Sequence, residues 1–288
     1  TTAGLSVGAR VGRTWRWSTV SVPGMEVINT LTPAWDGSML LTGSSTIVLR
    51  LDPASRRWRS YGRVTGNAYG AILDKKDRVW VATDRGLYRS NGQDGRLEQL
   101  NEQIPRPEGD ARRSILYTGF ALGEGSEDLW ISTYSGLLHY REGRWRWFRE
   151  ADGLRSRVLN PPSIDSEGRI WVGHRDLGGA SRIQLQSGKY KVESIEGARG
   201  LGGDLFFSLH FPKNGDVWAL TSNGVQVLRD GKWTRLDRSD GLLWDECSQG
   251  AFLSAEDGSY WIGTSRGVSR FEPRTEIQPP ASSLAAIT

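Results

Sequence analysis

One cysteine, Cys247, stands in 288 residues. No intrachain disulfide and no cysteine metal cluster can therefore form, although a large periplasmic domain manages without either. Histidine is nearly as scarce, with His139, His174 and His210 far apart and at no metal-ligand spacing. No apolar run approaches the eighteen or so residues a membrane-spanning helix needs. Charge of one sign is not concentrated anywhere: 37 Lys+Arg against 33 Asp+Glu gives +4, interspersed along the chain. The basic stripe of a nucleic-acid binder is missing, so nucleic acid is not an expected partner, and direct membrane insertion is not expected either. The first residues, Thr1-Thr2-Ala3-Gly4-Leu5, lack the charged and apolar regions of a signal peptide. They resemble the middle of a repeat, so the chain reads as a processed or excised piece of something longer.

Abundance lies elsewhere, in 13 tryptophans and 36 glycines. Large buried rings and positive-φ turns in such numbers predict many short strands joined tightly, not helices. A repeat in the sequence agrees. Asp77-Arg78-Val79-Trp80-Val81-Ala82-Thr83-Asp84-Arg85-Gly86-Leu87 returns as Glu127-Asp128-Leu129-Trp130-Ile131-Ser132-Thr133-Tyr134-Ser135-Gly136-Leu137. Further copies centre on Trp171, Trp218 and Trp261, and a degenerate first copy has Leu40 in the tryptophan position. These anchors lie 40, 50, 41, 47 and 43 residues apart. Four strands of about five residues with short turns occupy about forty residues.

Each unit divides alike. A first apolar strand meets an acidic or glycine turn, and the tryptophan strand follows, apolar on both faces as a strand between neighbouring sheets must be. A Thr-x-x-Gly turn leads to a third strand. A hairpin such as Asp230-Gly231 introduces an aromatic and basic fourth, as in Lys232-Trp233-Thr234-Arg235-Leu236. The C-terminal unit lacks that fourth strand, whereas Arg13-Thr14-Trp15-Arg16-Trp17 at the N-terminus has its pattern. The expected fold is therefore all-β: a β-propeller of six four-stranded antiparallel blades, with the ring closed by an N-terminal strand. Because Thr1 to Leu5 also matches the Thr-x-x-Gly-Leu turn, one third strand is redundant, and seven blades is the alternative. Residues 1–273 are expected to form the propeller and 274–288 a tail or linker.

The pattern Asp-x-x-Gly-x-Ile/Val-Trp-Ile/Val-Gly/Ala-Thr-x-x-Gly-Leu resembles the two-component regulator propeller repeat. Asp152-Gly153-Leu154 and Asp240-Gly241-Leu242 supply the Asp-Gly-Leu that precedes it. The match runs from about Val22 to Phe271, and Gln278-Pro279-Pro280 resembles the linker into a following β-sandwich. That resemblance implies the periplasmic input region of a membrane-bound histidine kinase or diguanylate cyclase. It implies downstream signalling domains of the same chain as partners, and no catalysis by the propeller itself. The first copy departs from the pattern, as does the fourth, where His174-Arg175-Asp176-Leu177-Gly178-Gly179 replaces the threonine turn.

Other motifs weigh less. Ser163-Ile164-Asp165-Ser166-Glu167-Gly168-Arg169-Ile170-Trp171 resembles a sialidase aspartate box with one extra residue, and reads better as an aspartate capping a turn. Asp152-Gly153 and Asp240-Gly241 form no calcium loop, the glycine clusters form no phosphate loop, and no metal or cofactor is expected. His139 and His210 read as structural, while His174, on a turn, reads as facing the mouth.

Propeller ligands bind at the axial mouth, among turns between second and third strands and loops between blades. The turns offer Arg85, Tyr134, His174, Arg175, Asp176, Asn223 and Arg266; the loops offer Arg113, Arg157, Trp244 and Glu246. Aromatic faces stack on sugars and arginine forks carboxylates, so a small molecule or oligosaccharide of acidic character is the expected ligand. The rival readings are a secreted propeller lyase or glycosidase and a protein-interaction platform.

Overall fold

The computed structural model describes residues 5–272 except 13, 44–45, 92–94, 111–114, 177 and 196–204. Arg113 and the 274–288 tail lie outside the described residues. The chain folds as a six-bladed antiparallel β-propeller. Preceding the blades is a hairpin, β1 (Leu5–Val11) and β2 (Thr14–Val20). Blade one holds β3 (Ile28–Pro33), β4 (Met39–Gly43), β5 (Ile47–Asp52) and β6 (Arg57–Arg63). Blade two holds β7 (Ala68–Leu73), β8 (Val79–Thr83), β9 (Leu87–Ser90) and β10 (Leu97–Gln99). In blade three are β11 (Tyr117–Leu122), β12 (Asp128–Thr133), β13 (Leu137–Arg141) and β14 (Arg144–Phe148). Blade four follows with β15 (Ser163–Ile164), β16 (Ile170–Gly173), β17 (Ala180–Gln186) and β18 (Lys189–Ile195). Blade five has β19 (Phe206–His210), β20 (Val217–Thr221), β21 (Gly224–Arg229) and β22 (Lys232–Leu236). Blade six has three strands of its own, β23 (Cys247–Ser254), β24 (Tyr260–Thr264) and β25 (Gly267–Phe271). No described helix is long and apolar enough to cross a membrane.

Two turn chemistries explain the repeat. At one end of the blades, Asp74 Oδ1 accepts the Lys76 and Arg78 amides. Its Oδ2 accepts Arg78 Nε at 2.7 Å and Trp80 Nε1 at 2.8 Å. Asp165 repeats this with the Glu167 and Arg169 amides, Arg169 Nε and Trp171 Nε1. The sequence that resembles an aspartate box is thus a turn cap that also satisfies the buried indole. At the other end, Thr133 Oγ1 donates to the Gly136 carbonyl at 2.7 Å and accepts the Ser135 amide. Gly136 sits at φ 130°, where a Cβ would lie 2.7 Å from the Phe148 carbonyl oxygen, so only glycine fits. Thr83, Thr221 and Thr264 make the same bond to Gly86, Gly224 and Gly267.

Apolar clusters fill the junctions between consecutive blades. Leu40 and Val48 of blade one meet Leu73 and Val81 of blade two, and each following pair is joined likewise up to Trp218 and Val227 against Tyr260 and Ile262. Trp80, Trp130, Trp171 and Trp218 are buried, as the repeat predicts, whereas Trp261 of blade six is only half-buried. Its cover is the hairpin: Trp15 meets Trp261 edge-on at 5.0 Å and Trp17 does so at 6.4 Å. At its other side Leu5 packs on the Val22, Met25, Leu41 and Leu49 cluster of blade one. The N-terminal strand therefore stands at the closure, but through rings and not through a ladder on β25. Strand β2 pairs instead with β1, from Leu5↔Val20 to Val11↔Thr14. A local hairpin closes a far shorter loop than a ladder to a strand near residue 270, and so loses less chain entropy.

Candidate functional site

In an antiparallel blade the second-to-third turn lies at the end where the first strand begins and the fourth strand stops. The topology therefore gathers the threonine turns and the interblade loops on one end of the ring. Backbone bonds lock the two sets together. The amides of Asp84, Tyr134, Arg175, Ser222 and Ser265 donate to the carbonyls of Asn67, Leu116, Val158, Leu205 and Glu246, each just ahead of its blade's first strand. The residues around these bonds can then vary without unpairing the turn.

Two groups of side chains form there. Between blades three and four, the Arg175 guanidinium lies 5.8 Å from the Tyr134 ring, and Ser156 Oγ donates to the neighbouring Asp176 at 2.9 Å. Around blade six, Arg266 sits 3.7 Å and Arg238 4.7 Å from the Trp244 ring. Glu246 is exposed beside them. Arg175, Arg238 and Arg266 are exposed and make no ion pair among the described residues. Arg85 and Asn223 are exposed on the same end but make no hydrogen bond or ring contact with either group among the described residues. Arg157 is taken up by Glu150, its Nε 3.0 Å from the carboxylate.

Arg238 escapes the sequence reading because it precedes Asp240-Gly241-Leu242 in what looks like a plain turn. That stretch is a 3₁₀ turn, Arg238–Asp240, ended by Gly241 at φ 96° and anchored by buried Leu242. Its anchoring leaves the Arg238 side chain outside. The same device, Glu150–Asp152 with Gly153 and buried Leu154, precedes blade four.

His174 is a correction. Fully buried, it cannot face the mouth, and its Nε2 lies 2.9 Å from Ser181 Oγ. The reason is positional: Trp171-Val172-Gly173-His174 aligns with Trp80-Val81-Ala82-Thr83, so histidine occupies the threonine slot, which is buried in every blade that has it. Burial and the nearby Arg155 charge press its pKa down to about 4 against the pull of Asp176. His139 stacks on Trp130 at 3.9 Å and bonds Asp128, in the cross-strand place that Arg89 and Arg182 hold beside Trp80 and Trp171. Burial likewise lowers His210 to about 4, and it stacks on Phe252.

On the opposite end, a groove of about 920 Å³ is lined by Arg57, Trp58 and Arg59 together with Arg50, Asp36 and Asp77. Arg50 is spent internally, donating to Asp36, Asp77, Ser38 and Tyr61. No group of three or more His, Cys, Asp or Glu side chains that could hold a metal ion occurs among the described residues.

No protein-family profile matches the chain, and no curated protein matches it. Solved structures do. A catalytically inactive virginiamycin B lyase from Staphylococcus aureus, with quinupristin, aligns at TM-score 0.68 and 12% identity over 93% of this chain and 88% of that one. YCF48 bound to D1 peptide aligns at 0.62 and 15%, covering 93% and 85%. The extracellular domain of a putative hybrid two-component system from B. thetaiotaomicron aligns at 0.51 and 15%, over 95% of this chain but 40% of that one. The neighbours thus include two-component extracellular domains as well as enzymes, and at these identities the likeness is one of fold.

Proposed function

We propose that this propeller is an extracytoplasmic ligand-sensing module, the input region of a two-component-type receptor, and that it binds an acidic small molecule or oligosaccharide at the end carrying Tyr134–Arg175 and Arg238–Trp244–Arg266. One observation carries the reading. The loops that carry Trp244 and its two arginines are held by other groups, the Arg238 amide on Asp245, the Arg266 amide on Thr264 Oγ1 and the Ser265 amide on the Glu246 carbonyl, and none of these bonds uses a guanidinium or the indole. An indole face suits a sugar ring, and unpaired guanidinium forks suit its carboxylate. The family resemblance of the repeat supplies the signalling role, and the two-component extracellular domain among the structural neighbours agrees with it.

The enzyme reading is supported by the lyase among the neighbours. Against it stands the use of all three histidines in packing: His139 on Trp130, His174 on Ser181 and His210 on Phe252. Titration with oligogalacturonates, followed by calorimetry and by product analysis, separates the two. Saturable binding without turnover, lost in Arg266→Ala, is the expected result. Turnover, or binding that survives both Arg266→Ala and Arg175→Ala, defeats the proposal.

A further inference from the structure

Blade one carries two features that serve neither the mouth nor the seam where the hairpin covers Trp261, and both lie at the opposite end of the ring. The first is Trp35, in the turn between β3 and β4. It has no part in the tryptophan repeat. With Leu40 aligned on Trp80, Trp35 falls on Lys75, Ser166, Lys213 and Glu256 of blades two, four, five and six, where the repeat is polar. At 61% it is the most exposed large apolar side chain among the described residues. Its Nε1 nevertheless donates to the Asp74 carbonyl of blade two at 3.1 Å, the same oxygen that accepts the Asp77 amide. The ring is thus fixed in place with much of its surface bare. Clamping two blades does not call for an indole, since Lys75 at the same position reaches the Gly123 and Glu124 carbonyls of blade three with one ammonium.

The second feature is the groove that Asp77 lines together with Asp36, Arg50, Arg57 and Arg59. Its carboxylates are engaged: Asp36 and Asp77 pair with Arg50, and Asp52 caps the Ala54 and Ser55 amides. Arg57 and Arg59 remain. Both are exposed and make no ion pair among the described residues. They stand at alternate positions of β6, so they share one face and their Cα atoms lie about 7 Å apart. Arg59 lies 4.9 Å from the Tyr61 ring, and a Cβ on Gly95 would come within 3.0 Å of its Nη2. Contacts link the two features. Trp35 and Asp77 share the Asp74 carbonyl, Asp77 bonds Arg50 at 2.9 Å, and Arg50 is paired with Arg59 across β5 and β6.

The geometry points to a second binding site here, for a phosphorylated sugar, with the Trp35 ring stacked on the pyranose and the Arg57 and Arg59 forks on the phosphate. An exposed and immobilised indole suits the apolar face of a sugar ring. A phosphate monoester carries about two negative charges at pH 7 and three strong acceptor oxygens. Two guanidinium forks on one strand face match that dianion better than they match the single charge of a carboxylate. This site is independent of what binds at the mouth.

Glucose 6-phosphate serves as the probe, with glucose, glucuronate and inorganic phosphate beside it, in calorimetry and in hydroxyl-radical footprinting of the unaltered protein. Glucose 6-phosphate is expected to bind about tenfold or more tightly than each of the other three, and to protect Trp35 from oxidation. Replacing both arginines, Arg57→Ala with Arg59→Ala, is expected to weaken it by about tenfold or more in a protein that still folds. Arg266→Ala is expected to leave glucose 6-phosphate binding intact, and the Arg57→Ala, Arg59→Ala protein to leave oligogalacturonate binding intact, so failure at one end of the ring is told apart from failure at the other. Binding no tighter than that of glucose or of inorganic phosphate overturns the inference. So does protection confined to Trp244, or binding indifferent to the loss of both arginines.

Discussion

Four tryptophans of the second strand and a fifth differ in one respect only, the company they keep. Trp80, Trp130, Trp171 and Trp218 are each packed against the sheet of the following blade and are at most 5% exposed. Trp261 has the same motif around it, yet lies half-buried under two rings from a hairpin. Identical local sequence thus produces unequal burial, because a blade's core is made jointly with its neighbour. A propeller position carries its full packing energy only where the next sheet is present.

The largest expected effect tests that contrast directly. Trp130→Ala removes a buried ring that meets His139, Phe148 and Tyr190, and should cost about 3–5 kcal/mol in urea unfolding. Trp261→Ala should cost about 1–2 kcal/mol, in proportion to the smaller area it hides. Equal costs would mean that the seam is as well packed as the other junctions, and the comparison would fail.

Acid should act on the closed side of the ring. His174 and His210 belong to blades four and five and are held neutral, with pKa values lowered from 6.5 to about 4. Between pH 6.5 and about 4 the unfolded chain takes up protons there that the folded chain refuses, so stability falls as pH falls through that window. Below it, Asp165 and Asp216 add to the loss. Burial opposes their charge, but bonds from Trp171 and Arg169 and from Arg229 and Asn214 outweigh it and hold both carboxylates below the usual range. His174→Gln should reduce the fall of the melting temperature between pH 6.5 and about 4, with His210 supplying what remains, while Trp15→Ala beside blade six leaves that slope unchanged.

Much of this was legible in the chain. The tryptophan spacing sets six blades, and the turns explain why Asp74 and Asp165 precede Trp80 and Trp171 by the same interval. His174 was misplaced because it departs from the motif, and departure looks like function. Its register beside Thr83 was the available signal, since a threonine slot is interior wherever the chain folds back. Arg238 and the pairing of β2 with β1 were not legible. The first depends on how a 3₁₀ turn anchored by Leu242 aims its side chains, and the second on competition between a local and a distant partner.

Hairpin rings come next in size. Trp15→Ala should cost about 1 kcal/mol, the worth of one edge-to-face pair plus a little area, and should redden the emission of Trp261 as its cover is lost. An unaltered emission spectrum would detach the hairpin from blade six.

The smallest effect falls where sequence variation in the repeat is greatest, at the threonine turns. In the turn of blade two the backbone does the structural work: the Arg85 amide donates to Thr83 Oγ1, and its carbonyl accepts from Gln99 and Asn101. The Arg175 amide likewise donates to the Val158 carbonyl. None of these bonds uses a guanidinium, and both side chains are exposed. Arg85→Ala and Arg175→Ala should therefore stay within about 0.5 kcal/mol of the parent in urea unfolding. Thr133→Val, one residue before the variable pair of its own turn, removes the buried hydroxyl that bonds both the Gly136 carbonyl and the Ser135 amide, while the carbonyl keeps the residue-133 amide, and should cost about 1–3 kcal/mol. If the arginine variants cost as much as the threonine one, the side chains are part of the turn. The case for a ligand at that end of the ring would then rest on Trp244 and Arg238 alone.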